Sequence, residues 1–99
     1  MASLLLDAQT GVGISGEFLG IQNKLPVSVS CEVSGAEACT LQFFNGVNWV
    51  DFYKDGETDP VQITINNSMV SIWGTGRFRI SKGATAAAVP IFLHTVTSP

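Results

Sequence analysis

Val27-Ser28-Val29-Ser30-Cys31-Glu32-Val33 alternates apolar and polar side chains without a break. Successive side chains of a β-strand point to opposite faces, so a period of two assigns one face to a core and the other to water. Ser34-Gly35-Ala36-Glu37-Ala38 interrupts the pattern with turn chemistry, and Cys39, Leu41 and Phe43 then resume it against Thr40 and Gln42. A second strand is expected there. The next signal outward is Asn45-Gly46, a pair that tolerates the positive φ angles of a type I′ hairpin turn. A two-residue loop at that point pairs Phe44 with Val47, Phe43 with Asn48, Leu41 with Val50 and Cys39 with Phe52. Val50 and Phe52 then share the face of Leu41, while Trp49, Asp51 and Tyr53 point the other way beside Gln42 and Thr40.

Further runs follow on both sides. Lys54-Asp55-Gly56-Glu57-Thr58-Asp59-Pro60 reads as a polar loop, and Val61, Ile63 and Ile65 alternate with Gln62 and Thr64 before a turn at Asn66-Asn67-Ser68. Val70 and Ile72 alternate with Ser71 and Trp73, Gly74-Thr75-Gly76 breaks the pattern, and Phe78 and Ile80 alternate with Arg77, Arg79 and Ser81. Val89, Ile91 and Leu93 close the series, and residues 4–6 and 17–21 add two shorter candidates. About eight short strands at this spacing predict an all-β protein, an antiparallel β-sandwich of jelly-roll or Ig-like topology. Only residues 84–88 have a helix-forming composition, and five residues are too few to sustain a helix alone. They read as an apolar loop or a single turn, whose lack of charge makes it a candidate contact.

At 99 residues the chain holds one hydrophobic core, so residues 1–99 are read as a single domain. Charged residues make up 13% of it, about half the usual share of ~25%, so some outward faces must carry hydroxyl, amide and apolar groups instead. That composition suits a protein that works against other protein, or a monomer with a neutral surface. The formal charge of −3 offers no footprint for nucleic acid or anionic lipid, so neither nucleic acid nor membrane is expected as a partner. The opening residues 1–6 lack the basic flank and the length of a signal peptide or membrane span, and synthesis in the cytosol is expected.

Candidate chemistry is sparse. His94 is the one histidine and has no Cys/His spacing around it, which points to a structural or surface role. Cys31 and Cys39 fall on the inward parity of neighbouring strands and stand opposite one another if Val33 pairs with Glu37. A disulfide is conceivable there, but a cytosolic origin favours buried, reduced thiols. Asp51, Asp55, Glu57 and Asp59 tempt a calcium reading, yet the terminal Glu of an EF-hand loop is missing and Lys54 and Pro60 intrude. A solvated acidic loop is expected, with no metal and no cofactor. No nucleophile elbow is present, and with one histidine the triad options are few, so an enzyme is not expected. Trp49, Tyr53 and Trp73 either stand outward, where they can anchor an interface or stack on sugars, or tuck into the sandwich edge. Arg77 and Arg79 can pair with acidic residues of a neighbour or of the same chain.

The run Gly74-Thr75-Gly76-Arg77-Phe78-Arg79-Ile80-Ser81-Lys82, with Gly83-Ala84-Thr85-Ala86-Ala87-Ala88-Val89 after it and Asn45-Gly46, Trp49-Val50 and Val61-Gln62-Ile63-Thr64 before it, resembles small structural proteins of tailed bacteriophages. The likeness spans residues 40–95 and is greatest to the β-rich decoration, or cement, proteins of phage heads. It implies a non-enzymatic virion protein, located on the capsid surface, that binds the major capsid protein or another virion protein as a homo-oligomer, a dimer or trimer. The contact surface expected on this reading comprises Trp49, Tyr53, Trp73, Arg77, Arg79, Ala84, Thr85 and Ala86. Two rivals stand beside it: a tail or fibre module that uses the same aromatics to bind carbohydrate or a receptor, and a small hydrolase.

Overall fold

In a computed structural model the alternating runs become the strands of two antiparallel sheets, with no helix among the described residues, which are 2–22, 25–72 and 74–95. The strands are β1 (Ala2–Gln9), β2 (Gly13–Ile14), β3 (Phe18–Leu19), β4 (Ile21–Gln22), β5 (Leu25–Ser30) and β6 (Cys39–Phe44). They continue with β7 (Trp49–Asp51), β8 (Gln62–Ile63), β9 (Met69–Ile72), β10 (Arg77–Lys82) and β11 (Val89–His94).

The first sheet runs β1, β11, β5, with β9 and the short β4 sharing the far edge of β5. The second is built on β10 and β6, with β2 and β3 along the outer edge of β10 and β7 and β8 along that of β6. If collinear short strands count as one, each sheet has four. The first strand then pairs with the last, the second with the next to last, and so inward to β6 with β7 and β8. This nested pairing is that of a jelly roll and not the strand order of an Ig-like sandwich.

The inward parity read from the sequence fills the space between the sheets. Val27 and Val29, Leu41, Ile63, Val70 and Ile72, Phe78 and Ile80, and Val89, Ile91 and Leu93 are all buried. Each large apolar side chain removed from water in this way contributes ~1.5–3 kcal/mol. At one end of the core Phe18, Phe43, Phe52 and Phe78 pack ring to ring, with Phe52 edge-on to both Phe43 and Phe78.

Several local expectations are corrected. The hairpin after β6 is not a two-residue turn: Phe44 pairs with Trp49, Phe43 with Val50 and Gln42 with Asp51, leaving residues 45–48 as the loop. Asn45 Oδ1 accepts hydrogen bonds from the N–H groups of Val47 (2.9 Å) and Asn48 (2.8 Å), which holds the wider loop, and Gly46 adopts φ 101°. The slip is two residues, so every side chain keeps its face. The turn expected at Asn66-Asn67-Ser68 comes earlier, around Ile65 and Asn66, because Thr64 and Asn67 exchange backbone hydrogen bonds. Ile65 is therefore exposed and not part of the core. Residues 17–21 do not form one strand. They divide into β3 and β4 on different sheets, and the chain crosses at Gly20, where a Cβ would lie 2.1 Å from the Gly74 carbonyl oxygen. Residues 4–6 belong to a longer β1 that carries two register shifts. Finally, β5 and β6 are not neighbours in a hairpin, since they lie in opposite sheets.

Candidate interaction surfaces

On the outer face of the second sheet, β10 and β6 pair Arg79 with Gln42, and β6 and β7 pair Gln42 with Asp51 and Phe44 with Trp49. The register therefore sets two guanidiniums beside two aromatic rings. Arg79 stands 4.5 Å from the centre of Trp49, and Arg77 lies 4.8 Å from that of Phe44, distances at which cation–π attraction operates. Arg79 Nε donates to Gln42 Oε1 (2.9 Å), Gln42 Nε2 donates to Asp51 Oδ1 (3.0 Å), and Arg77 pairs with Glu17 of the same chain. Of the expected contact residues, Trp49, Arg77 and Arg79 are thus gathered into one ladder, and both guanidiniums already have partners within the chain. Trp73 lies outside the described residues. Tyr53, 48% exposed, stands apart from the ladder on the wall of a cleft.

Ala84, Thr85 and Ala86 lie beyond the opposite end of β10 from Arg77, so they do not join that ladder. Their loop is tied down. Thr85 is buried, its N–H donates to the Thr10 carbonyl (2.8 Å) and its hydroxyl to the Ala87 carbonyl (2.7 Å). Ala86 N–H donates to Glu37 Oε2 (2.7 Å), while Ser34 N–H donates to Glu37 Oε1 (3.0 Å). These bonds, that of Ser34 foremost and then that of Ala86, hold the Glu37 carboxyl below its ordinary value of 4.5. Ala84 and Ala86 keep exposed side chains on this fixed frame.

Beneath the loop lies a residue that the sequence reading passed over. Lys82 is 1% exposed, and its ammonium donates to the carbonyls of Gly11 (2.8 Å) and Gly83 (3.0 Å) and to Thr85 Oγ1 (3.1 Å). All three acceptors are neutral. The signal was present, because Lys82 continues the inward parity of Phe78 and Ile80.

Cys31 and Cys39 are buried free thiols whose sulfurs lie 3.9 Å apart. They meet across the core from segments of opposite sheets, not as a cross-strand pair. Burial, together with the neighbouring Cys39, pushes the Cys31 thiol up to about 12, and burial also raises Cys39. His94 Nε2 and Ser30 Oγ are 2.7 Å apart on the outer face of the first sheet. A serine–histidine contact is the first element of an activated nucleophile. Here it sits on an open strand face, and among the described residues no carboxylate bonds the imidazole. Asp51 accepts from Gln42, whereas Asp55, Glu57 and Asp59 are exposed in the loop, and no three candidate metal-ligating groups converge among the described residues.

The outer face of the first sheet was not singled out from the sequence. Strand pairing aligns Leu4, Phe92, Ser30 and Met69 in one row and His94, Ser28 and Ser71 in the next. Leu4 is 52% and Met69 49% exposed, and the Ser28 and Ser71 hydroxyls bond to each other (3.1 Å). The one acidic residue on β1, β5, β9 and β11 is Asp7, beyond the first register shift of β1, and none of the four carries Lys or Arg. Comparison of the chain with protein-family models, with curated proteins and with solved structures finds no match.

Proposed function

We propose that this protein is a non-enzymatic assembly module, a virion structural protein of the capsid-decoration kind, which self-associates and docks on a larger protein shell. A jelly roll serves many functions, so the fold alone carries little weight. The observation that carries the reading is an uncharged patch on the outer face of the first sheet, centred on Leu4, Phe92 and Met69. In a chain of net charge −3, the part of this face around Leu4, Phe92 and Met69, with Asp7 the one carboxylate of its strands set off beyond the register shift of β1, is where two copies can meet with little repulsion, and its apolar side chains gain by leaving water. The arginine–aromatic ladder on the other side of the sandwich is then available to a shell protein.

Native mass by size-exclusion chromatography with light scattering tests the reading. We expect a dimer or trimer of the 10.5 kDa chain at micromolar concentration. A Leu4→Lys, Met69→Lys double variant, altering only exposed positions, brings like charges together in the assembly and is expected to run as a monomer. Val47→Lys, at the exposed hairpin tip, leaves the mass unchanged. A wild-type protein that remains monomeric at about 100 μM, a concentration that populates even weak dimers, refutes self-association.

A further inference from the structure

Between β9 and the edge formed by β7 and β8 the side of the sandwich is open. A cleft of about 340 Å³ enters there, floored by Leu41, Phe52, Val61 and Ile72 and walled by Tyr53. It runs on into a trough of about 400 Å³ bounded by Glu57, Asp59 and Met69, and the two share Lys54, Val61 and Ser71. The deep part is apolar and the shallow part acidic. Asp55, Glu57 and Asp59 stand against one cation, Lys54, and none of the three carboxylates has a hydrogen bond or ion pair among the described residues. One flank of the groove is β9, whose backbone is paired with β5 on its other side and with no strand on this one among the described residues.

We infer that this groove binds an extended peptide segment of a partner protein, in which a bulky apolar residue is followed at short range by Lys or Arg. Three features converge on that chemistry. The free edge of β9 offers backbone hydrogen bonds to an added strand, and strand addition presents alternate side chains to pockets beside it. The apolar floor takes the anchoring side chain, which desolvates there without leaving a polar group unpaired. The acidic trough, where Glu57 and Asp59 stand against Lys54, then selects a basic residue two or more positions along the segment. A sugar fits less well, because the polar groups are confined to the rim and cannot reach hydroxyls laid against a concave apolar floor. The site lies at the edge of the sandwich, meets the face proposed for self-association at Met69 and Ser71, and does not require self-association.

Two synthetic peptides test it, acetyl-Gly-Leu-Gly-Lys-Gly-Lys-amide and its counterpart with Glu for Lys, titrated into ¹⁵N-labelled protein and followed by amide chemical shifts. We expect shifts at Tyr53, Val61, Ser71 and Ile72, with the Lys peptide binding about fivefold more tightly at low salt and the preference lost near 0.5 M salt, where screening is short-ranged. In the Glu57→Gln, Asp59→Asn variant the Leu-dependent shifts persist and the preference disappears. The inference is overturned if neither peptide perturbs these residues at millimolar concentration, or if both bind equally at low salt. It is also overturned if chitotriose or maltotriose perturbs the same residues while the Lys peptide does not. Native mass plays no part in the readout, so failure here and failure of self-association are separate results.

Discussion

Replacing Lys82 with Met keeps the length of the side chain and removes its charge, which isolates what the ammonium does. In the wild type three neutral oxygens receive its protons, those of Gly11, Gly83 and Thr85. Thr85 keeps its bond to the Ala87 carbonyl in the variant, so the hydroxyl is not stranded. The two carbonyls are left without this donor, at about 1–3 kcal/mol each where buried. Against this stands the relief of no longer holding an ammonium away from water, worth several kcal/mol for a fully isolated ion but less for one with three hydrogen bonds. The net is a loss of about 2 kcal/mol. With a urea slope of about 1–2 kcal/mol/M for a chain of this size, the midpoint falls by roughly 1–2 M. Thr85→Val probes the same node, and the double variant is expected to lose less than the sum of the single losses, because the two residues share one bond. A Lys82→Met protein as stable as the wild type, or more stable, would refute the reasoning, since the desolvation of the ammonium would then outweigh its bonds.

Two other expectations concern titrating groups. Glu37 releases its proton more readily in the folded chain than in the unfolded one, so its contribution to stability is complete above 4.5 and is lost as pH falls below that value. Thermal midpoints measured from about pH 6 to 3 should fall less steeply for Glu37→Gln than for the wild type, and parallel curves would remove Glu37 from the account. Cys31 and Cys39, both raised and both buried, should react with iodoacetamide at neutral pH only as fast as the protein opens, and rapid labelling of the native state would contradict their enclosure.

The parity of side chains was legible in the sequence wherever a strand has one wet face. Val27 and Val29, Phe78 and Ile80, and Val89, Ile91 and Leu93 all lie where alternation put them. Which strands share a sheet was not legible, because alternation is local and the partition of β5 from β6 depends on pairings far along the chain. Loop lengths failed for a related reason. The Asn45 side chain accepts two backbone N–H groups and so makes a four-residue loop as comfortable as the tight turn that Asn-Gly ordinarily signals. The uncharged patch could not be read either, since Leu4, Met69 and Phe92 are distant in sequence and come together only through β1, β11, β5 and β9. Arg77 and Arg79 were read on one strand face, and Trp49 either outward or tucked into the sandwich edge. Their mutual stacking needed the register of three strands.

The loop after β7 leaves its strand and returns to it. Phe52 N–H donates to the Leu41 carbonyl, Leu41 N–H donates to that of Val61, and between these the Val61 N–H donates to the Phe52 carbonyl at 2.8 Å, closing residues 53–60 off at the neck. With its ends joined in this way, the segment is a detour whose length the sandwich does not sense. Doubling a closed loop costs only ~0.6 kcal/mol in chain entropy. Residues 53–60 can therefore be lengthened, exchanged or used to carry a foreign epitope while β6 keeps both of its edge partners, so the part of the surface that bears the acidic residues can diversify independently of the scaffold that displays it.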